Sequence, residues 1–405
     1  MTSSGTELAF SLPPPAGRGV DLLIVAGEHS GDEHAARMVR GLLAGRPALR
    51  VCALGGPELA AAGAQLLHDL TASSVVGFVE VLRNVRYFRS LFGATLRWIE
   101  QHRPRAVCCV DYPGFNLRLT RALHARGLTV KGGGRIRALY YISPQIWAWK
   151  AGRRFEMARH LDAMAVIFPF EVKSYADTAL PVEFVGHPFV AGGHESPVQP
   201  DAAGPVLLLP GSRRQAVARI FPALLAGYAQ YASGHPERAA VVLHPSDEIK
   251  GVLEHLRARA RPEIAARVEL RRTGAPVAAA AVLTSSGTMS MHCALAGIPG
   301  AIAYRTNPLT YLFARWLVRV PHIGIANLLL DEPMYPEFIQ GAATAGNLAR
   351  ELTTALEDPA RRARAAEQAR QLRGVLRQPA TGTAADWLAR QLAPSDGGRI
   401  GNGCG

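Results

Sequence analysis

Short apolar runs alternate with amphipathic stretches along most of this 405-residue chain. The apolar runs are rich in Val, Leu and Ile, which is typical of strands buried on both faces of a parallel sheet. The stretches between them have helical spacing, and an alternation of strand and helix predicts an α/β fold. The predicted strands are 20–26, 51–56, 106–110, 139–142, 162–167, 182–188, 206–209, 240–245, 279–283 and 299–304.

The length and a break in the pattern predict two domains. The apolar period is lost over the Gly/Pro/Ser-rich segment 189–204, which we interpret as a linker. We therefore expect an N-terminal domain and a C-terminal domain, each a doubly wound sheet, that face a ligand cleft. The expected bounds are 1–19 for a disordered tail, 20–188 and 205–359 for the domains, 360–393 for helices returning to the first domain, and 394–405 for a second tail.

Composition and charge narrow the classes of partner. Lys and Arg number 45 against 32 Asp and Glu, a net charge of +13 that suits nucleic acid, an acidic membrane or phosphorylated substrates. The arginines are dispersed and no nucleic-acid module is recognisable, so we do not expect nucleic-acid binding. The five cysteines show no metal spacing, and no leader or spanning run is visible. We expect a cytoplasmic protein, soluble or surface-bound, with no metal and no cofactor.

Carboxylates follow two of the predicted strands in the first half. Glu28 and Asp32 lie in the glycine-bearing turn after the first strand, and Asp111 directly follows 106–110. Such positions line the ligand cleft of a doubly wound sheet, where a general base would be needed. The alternatives are structural: Asp32 and Glu33 cap the following helix, and Asp111 shapes a tight turn.

The second half contains two turns suited to phosphate. One runs from the strand 279–283 through Ser285, Ser286, Gly287 and Thr288 into a helix closed by Gly297, and leaves backbone N–H groups at the helix's positive end. The other, Gly211-Ser212-Arg213, adds a bidentate cation after the strand 206–209. The alternatives are an ordinary strand-to-helix turn and a surface arginine in water.

Two further segments carry unusual polar groups. Residues 73–82 are mostly apolar and precede arginines 83, 86, 89 and 97, which fits an interfacial segment or, more commonly, a core helix whose arginines reach water. Asn327 lies in the mostly apolar loop 321–328, where an amide is expected to hydrogen-bond to something specific.

Taken together, the motifs resemble those of the lipid-A-disaccharide synthases, glycosyltransferases of the GT-B class with two Rossmann-like domains. The resemblance covers nearly all of 20–390, and many motifs in one order make it specific. The motifs are 26–32 (AGEHSGD), 77–82 (GFVEVL), 111–116 (DYPGFN), 141–149 (YISPQIWAW), 168–171 (FPFE), 186–188 (GHP), 209–213 (LPGSR), 286–288 (SGT), 304–305 (YR) and 327–329 (NLL).

The resemblance implies a reaction. The family transfers 2,3-diacylglucosamine from its UDP donor onto 2,3-diacylglucosamine 1-phosphate, with anomeric inversion and without a metal. It implies that Asp111 is the base, with Glu28 its rival or helper. It places the leaving UDP against Arg213 and the Ser286-Gly287-Thr288 helix start, with Asn327 and Tyr304 lining the donor pocket.

The resemblance also implies contact with the cytoplasmic face of the inner membrane, and leaves a homodimer open. The apolar patch facing the membrane or the acyl chains would be Val75, Val76, Phe78, Val79, Val81 and Leu82. The chain departs from the family pattern at His292, where a glutamate is usual, and at His29, where alanine is common. His292 changes the charge of the expected donor pocket, which puts donor affinity in question.

Two other functions remain as alternatives. One is another UDP-sugar enzyme of the same architecture, such as a peptidoglycan-lipid transferase or a UDP-sugar epimerase, which need not carry the apolar patch. The other is a non-catalytic lipid-binding or nucleic-acid-binding relative that has lost its chemistry, suggested by His292 and the net charge.

Overall fold

The computed structural model describes residues 10–71, 81–147, 150–192, 195–307, 311 and 321–393, with the backbone alone for 81–85. The described residues divide into two compact units. The first contains the chain up to Gly186 together with the segment from Pro379, and the second is His187–Gln378.

The first unit is built on a parallel sheet of seven described strands in the order β3-β2-β1-β4-β5-β6-β7. The strands are β1 (Leu22–Ala26), β2 (Val51–Gly55), β3 (Gln65–Asp69), β4 (Ala106–Val110), β5 (Arg137–Tyr141), β6 (Ala163–Val166) and β7 (Val182–Phe184). The helices are α1 (His29–Gly45), α2 (Pro57–Ala61), α3 (Val81–His102), α4 (Pro113–Ala125) and α5 (Arg153–His160), with 3₁₀ turns at Val130–Gly132 and Pro169–Tyr175.

The second unit repeats this plan. Its six-stranded parallel sheet has the order β11-β10-β9-β13-β14-β15, beside a two-stranded β12-β8 ladder. The strands are β8 (Val198–Pro200), β9 (Val206–Leu209), β10 (Ala240–His244), β11 (Val268–Arg272), β12 (Val277–Ala279), β13 (Ala281–Thr284), β14 (Gly300–Tyr304) and β15 (Glu337–Ile339). The helices are α6 (Arg214–Ala232), α7 (Asp247–Arg257), α8 (Pro262–Ala265), α9 (Thr288–Ala296), α10 (Ile325–Leu330), α11 (Ala345–Glu357) and α12 (Pro359–Leu376), with a 3₁₀ turn at Gln340–Ala342.

In both sheets, the strand order reverses at the first strand, which has successive strands of the chain on one side and later strands on the other. The chain winds outward from β1 through β2 to β3, then returns to place β4 on the other side of β1; β9 and β13 have the same relation in the second unit. These neighbouring strands are buried along their whole length. Ligands of doubly wound sheets bind beyond the carboxyl ends of such a strand pair. The predicted α/β fold with two Rossmann-like units is confirmed.

The units are bounded differently from the expected domains. The expected linker 189–204 contains β8, which pairs with β12 inside the second unit. Of the C-terminal helices, α12 contacts α9 in the second unit, whereas α13 (Ala384–Gln391) contacts α1 in the first and buries Trp387 completely. Residues 1–9 and 394–405 of the expected tails lie outside the described residues.

Among the helices in the described part of the chain, none has both the length and the apolarity needed to cross a membrane.

Candidate active site

In the first unit, the turns that follow β1 and β4 touch. Gly27 directly follows β1, and a Cβ placed on it would lie 2.2 Å from Cδ1 of the Tyr112 ring. A Cβ cannot come that close to another carbon, so only glycine lets the ring lie against this backbone. The two turns therefore form one surface at the carboxyl edge of the sheet.

The backbone at Asp111 is held in an uncommon conformation. Asp111 and Tyr112 both have positive φ, 46° and 48°. The Asp111 carbonyl accepts hydrogen bonds from Asn116 Nδ2 at 2.8 Å and from Tyr140 Oη at 2.6 Å, and the Asp111 N–H donates to the Tyr141 carbonyl at 3.0 Å. Non-glycine residues in this region cost about 1–3 kcal/mol and persist where their surroundings hold them, often at functional sites. Asp111 is half-buried at the end of β4, as its sequence position predicts.

Asp32 has a structural role that differs from the one considered from sequence. Its carboxylate accepts the N–H groups of Gly56 and Leu59 at 2.8 and 3.3 Å and of Glu58 at 3.0 Å. It therefore caps α2 and not its own helix α1. Burial raises the pKa of Asp32, and these backbone hydrogen bonds counteract part of that shift. Glu28 stands at the N-cap position of α1, half-buried at the same edge.

Glu171 is a buried carboxyl group whose pKa responds to Asp111, and it was not among the site residues expected from the sequence. It is 1% exposed, and it accepts hydrogen bonds from the Phe168 N–H at 3.2 Å and from Trp147 Nε1 at 3.3 Å. Burial raises its pKa to about 8, and the negative charge of Asp111 adds to the rise. The sequence signal was the Phe168-Pro169-Phe170-Glu171 pattern, in which the carboxylate of a glutamate three residues after the N-cap can accept the N–H of the N-cap residue.

In the second unit, the turns after β9 and β13 also meet. Ser285 N donates to the Leu209 carbonyl at 2.8 Å, which joins the ends of the two strands. Gly211 has a φ of 108°, and a Cβ at this position would lie 3.4 Å from Ser285 Oγ. The positive φ favours glycine here, and the absence of a side chain keeps the two turns close.

Both turns lead into helices whose N-cap residue makes no capping hydrogen bond through its own side chain. The N-cap of α6 is Arg213, whose guanidinium can only donate, and the N-cap of α9 is Gly287, which has no side chain. Ser212, Arg213, Gly287 and Thr288 are exposed, and Ser286 is half-buried. Two helix N-termini beside a cation at one edge create positive potential suited to a diphosphate.

His292 packs against the segment that begins the second unit. Its ring, on α9 and 7% exposed as a residue, is stacked on the ring of Phe189 with centroids 3.9 Å apart. Phe189 in turn meets His187 edge-on at 4.8 Å. His292, where the sequence resemblance leads us to expect a glutamate, is thus part of an aromatic stack.

Asn327 has specific partners, as expected for an amide in apolar surroundings, and they are all within the protein. The residue is fully buried; Nδ2 donates to the Tyr335 carbonyl at 2.7 Å and to Glu337 Oε1 at 2.9 Å, and Oδ1 accepts from Tyr335 N at 2.9 Å. Glu337 also accepts the N–H groups of Ile323 and Gly324. Asn327 therefore organises its loop, while Tyr304 is half-buried at the end of β14.

Part of the expected site lies outside the described residues. Val75, Val76, Phe78 and Val79 are in this group, and Val81 and Leu82 are described only as the backbone that begins α3. Within the described ranges, no group of three or more His, Cys, Asp or Glu residues could hold a metal ion. Cys52, Cys108, Cys109 and Cys293 are buried free thiols, and burial raises the pKa of Cys52 to about 11.

Sequence comparisons match this chain to known proteins over most of its length. Residues 22–389 match the family described as lipid-A-disaccharide synthetase. The chain is 36% identical over 348 residues to the lipid-A-disaccharide synthase of Geobacter sulfurreducens, covering 84% of this chain and 88% of that protein. It is 36% identical over 353 residues to lipid-A-disaccharide synthase 1 of Legionella pneumophila, covering 84% and 88%.

Solved structures with low sequence identity share the fold. The glycotransferase of kitacinnamycin aligns with a TM-score of 0.57 at 16% identity, covering 93% of this chain and all of that one. A UDP-GlcNAc 2-epimerase from Neisseria meningitidis, bound to UDP-GlcNAc, aligns with a TM-score of 0.56 at 12% identity, covering 92% and 99%.

Proposed function

The chain belongs to the lipid-A-disaccharide synthase family, and from this premise we propose that it condenses UDP-2,3-diacylglucosamine with 2,3-diacylglucosamine 1-phosphate. The products are the β(1→6)-linked lipid A disaccharide 1-phosphate and UDP. The reaction is an inverting hexosyl transfer in the biosynthesis of the lipid A of the Gram-negative outer membrane.

One observation carries the donor part of this proposal. The turns after β9 and β13 join at one edge of the second sheet and lead into two helices, α6 with Arg213 at its N-cap position and α9 with Gly287 at its N-cap position. A leaving UDP carries its developing charge on the diphosphate, which helix N–H groups and a guanidinium stabilise. Gly211, Ser212 and Arg213 would hold one side of it, and the Ser286-Gly287-Thr288 start of α9 the other.

The remaining donor residues have different roles. Tyr304, half-buried at the end of β14, would line the pocket directly. Asn327 would act indirectly. Its amide hydrogen-bonds to Tyr335 and Glu337 and so ties α10 to the segment that follows it. His292 would present a hydrogen-bonding ring where the family usually has a carboxylate, with Phe189 limiting its movement.

Asp111 is the base in this proposal. Its carboxylate takes the proton from the acceptor's 6-hydroxyl while that oxygen attacks the anomeric carbon, the bond to UDP breaks, and the configuration inverts. The hydrogen bonds of the Asp111 backbone with Asn116, Tyr140 and Tyr141 support this role because they fix the position of the backbone that carries the carboxylate. Glu28, at the same edge after β1, is the rival or helper.

The proposal includes the place in the cell where the protein acts. Both substrates carry acyl chains and phosphate, so we propose that the protein is cytoplasmic and peripheral on the inner membrane. Its net charge of +13 would favour an anionic leaflet. The side chains of the apolar patch would insert into the membrane interface; the patch is Val75, Val76, Phe78, Val79, Val81 and Leu82. A homodimer is compatible with this arrangement.

A second function has one specific observation in its favour. A UDP-GlcNAc 2-epimerase shares the fold, and an epimerase would use the same kind of diphosphate-binding site. An epimerase needs no lipid acceptor, however, and it would act on UDP-N-acetylglucosamine alone. A non-catalytic relative, suggested by His292, would release no UDP at all.

The test is an assay of the purified full chain in detergent micelles with both diacyl substrates. We expect UDP release that requires the acceptor, and a disaccharide 1-phosphate whose mass is that of the acceptor plus one diacylglucosamine less one water. UDP-N-acetylglucosamine with the same acceptor is the control and should give little product. Epimerised UDP-sugar, or no turnover with the acylated pair, would contradict the proposal.

A further inference from the structure

An aromatic cluster lies on the loops after β5 and β6 of the first unit, strands that follow β4 in the order of the sheet. Trp147, on the loop after β5, meets the ring of Phe170 edge-on with centroids 5.2 Å apart. Phe170 is in turn stacked on Phe168 at 5.7 Å. Trp147 and Phe170 are half-buried, so part of each ring remains available to a ligand, whereas Phe168 is buried.

Glu171 connects the two loops that carry these rings. One carboxylate oxygen accepts from Trp147 Nε1 at 3.3 Å on the loop after β5, and the other accepts from the Phe168 N–H at 3.2 Å after β6. A second bridge joins the same loops, because the hydroxyls of Tyr175 and Ser143 are hydrogen-bonded at 2.6 Å. A carboxyl group that is 1% exposed is rare in proteins, and such groups cluster at functional sites.

We propose that Glu171 is a positioning residue that holds Trp147 and Phe170 as an aromatic wall beside Asp111, and that this wall receives the acylated glucosamine acceptor. This inference rests on the proposed function. Half-exposed aromatic rings offer apolar area to the carbon face of a sugar ring or to the first carbons of an acyl chain. Loops from β4, β5 and β6 then meet at one edge, with the base from the first of them.

The charges around Glu171 make the arrangement pH-dependent. Asp111 and Tyr175 are the titratable groups that act on Glu171 or respond to it, and Tyr140 hydrogen-bonds the Asp111 carbonyl. Because burial, with the charge of Asp111, raises the pKa of Glu171 to about 8, Glu171 is mostly protonated at pH 7. Above that pH a second buried charge forms beside the acceptor site, and turnover should fall.

Three variants test the role. E171A removes both hydrogen bonds and should raise the acceptor KM about tenfold, the effect of a lost hydrogen bond, while the donor KM stays within about twofold. E171Q keeps an acceptor for Trp147 Nε1 and should nearly restore the acceptor KM, but the alkaline fall in kcat/KM should be absent. E156Q is the matched control, a Glu→Gln change at an exposed position on α5, and should alter neither.

The result that overturns the inference is an unchanged acceptor KM in E171A together with an intact alkaline limb in E171Q. If E171A does not fold, W147F is the second variant: it replaces the indole by a smaller ring that has no N–H donor for Glu171, and it should raise the acceptor KM about threefold.

A fluorescence titration separates this inference from the reaction itself. The difference between wild-type and W147F emission should change with a midpoint near pH 8 through Glu171, and E171Q should abolish the change. This readout needs no turnover. An inactive wild-type protein would contradict the proposed function alone; a flat titration would contradict the pH dependence of the contact between Glu171 and Trp147, and an unchanged acceptor KM in E171A would contradict the positioning role.

Discussion

The backbone of Gly27 lies directly beneath the ring of Tyr112, with 2.2 Å between a Cβ built on Gly27 and the ring Cδ1. This contact joins the turn after β1 to the turn after β4, and both turns carry the carboxylates of the proposed acceptor site. The Tyr112 ring is also stacked on Phe115 of α4 at 6.1 Å, which limits how far it can retreat.

Gly27→Ala should therefore displace the Tyr112 ring and the Asp111 backbone that precedes it. We expect a loss of about 1–3 kcal/mol in the free energy of unfolding, as for other overpacked sites, and at least about a tenfold loss of kcat. Denaturant unfolding and the disaccharide assay measure the two effects. Gly114→Ala is the control, because a Cβ there meets nothing within 4 Å. Equal behaviour of the two variants would contradict this account.

Asp111→Asn should abolish most turnover and leave the fold intact. Asparagine tolerates the positive φ of this position nearly as well as aspartate, so the backbone hydrogen bonds from Asn116 and Tyr140 should persist. Loss of a general base costs about 10²–10⁴-fold in rate. The check is kcat for disaccharide formation beside the melting temperature. If the stable variant retains wild-type kcat, the base is another group, and Glu28→Gln is then the variant to measure.

Arg213→Ala should weaken use of the UDP donor. A charge-assisted hydrogen bond is worth about 1.5–3 kcal/mol, so kcat/KM for the donor should fall roughly ten- to hundredfold. Arg214→Ala removes the neighbouring exposed arginine at the first residue of α6 and should change kcat/KM less than about twofold. A comparable loss in both variants would mean that overall charge, and not the position of Arg213, governs donor binding.

The stack of His292 on Phe189 should behave as one energetic unit. His292→Ala and Phe189→Leu should each destabilise the second unit, and the double variant should lose less than the sum, with a coupling of about 1 kcal/mol for an aromatic pair. Denaturant unfolding of the four proteins measures the cycle. Additive losses would show that the 3.9 Å contact contributes nothing beyond burial.

Glu171 should make the stability of the first unit fall with rising pH. Its pKa is raised from 4.5 to about 8, so its contribution is fully present below pH 4.5 and is lost as the pH rises towards 8. Between pH 6 and pH 8 the unfolded chain is ionised at this group while the folded chain is mostly protonated. The wild type should therefore lose roughly 2 kcal/mol relative to Glu171→Gln over that interval. Parallel unfolding curves at pH 6 and pH 8 check this, and a constant difference would contradict it.

The sequence by itself determined the fold, the family and the central strands. Strands such as β1, β4, β9 and β13 are buried on both faces, so their apolar runs identify them without further information. The edge strands β3 and β11 were not predicted, because each exposes part of its surface and mixes polar with apolar residues. The carboxyl ends of the central strands also indicated where Asp111 and the Ser286 turn lie, since topology sends those ends to one edge.

The tertiary structure alone decided which polar groups are engaged. Asn327 was expected to hydrogen-bond to something specific, and only the fold shows that Tyr335 and Glu337 are partners of its amide. Asp32 caps a helix that begins well beyond its own. The contacts of Glu171 with Trp147 and of His292 with Phe189 join residues distant in the chain. Apolar patterns report burial because every residue of a strand shares it, whereas a hydrogen bond depends on two atoms that only folding brings together.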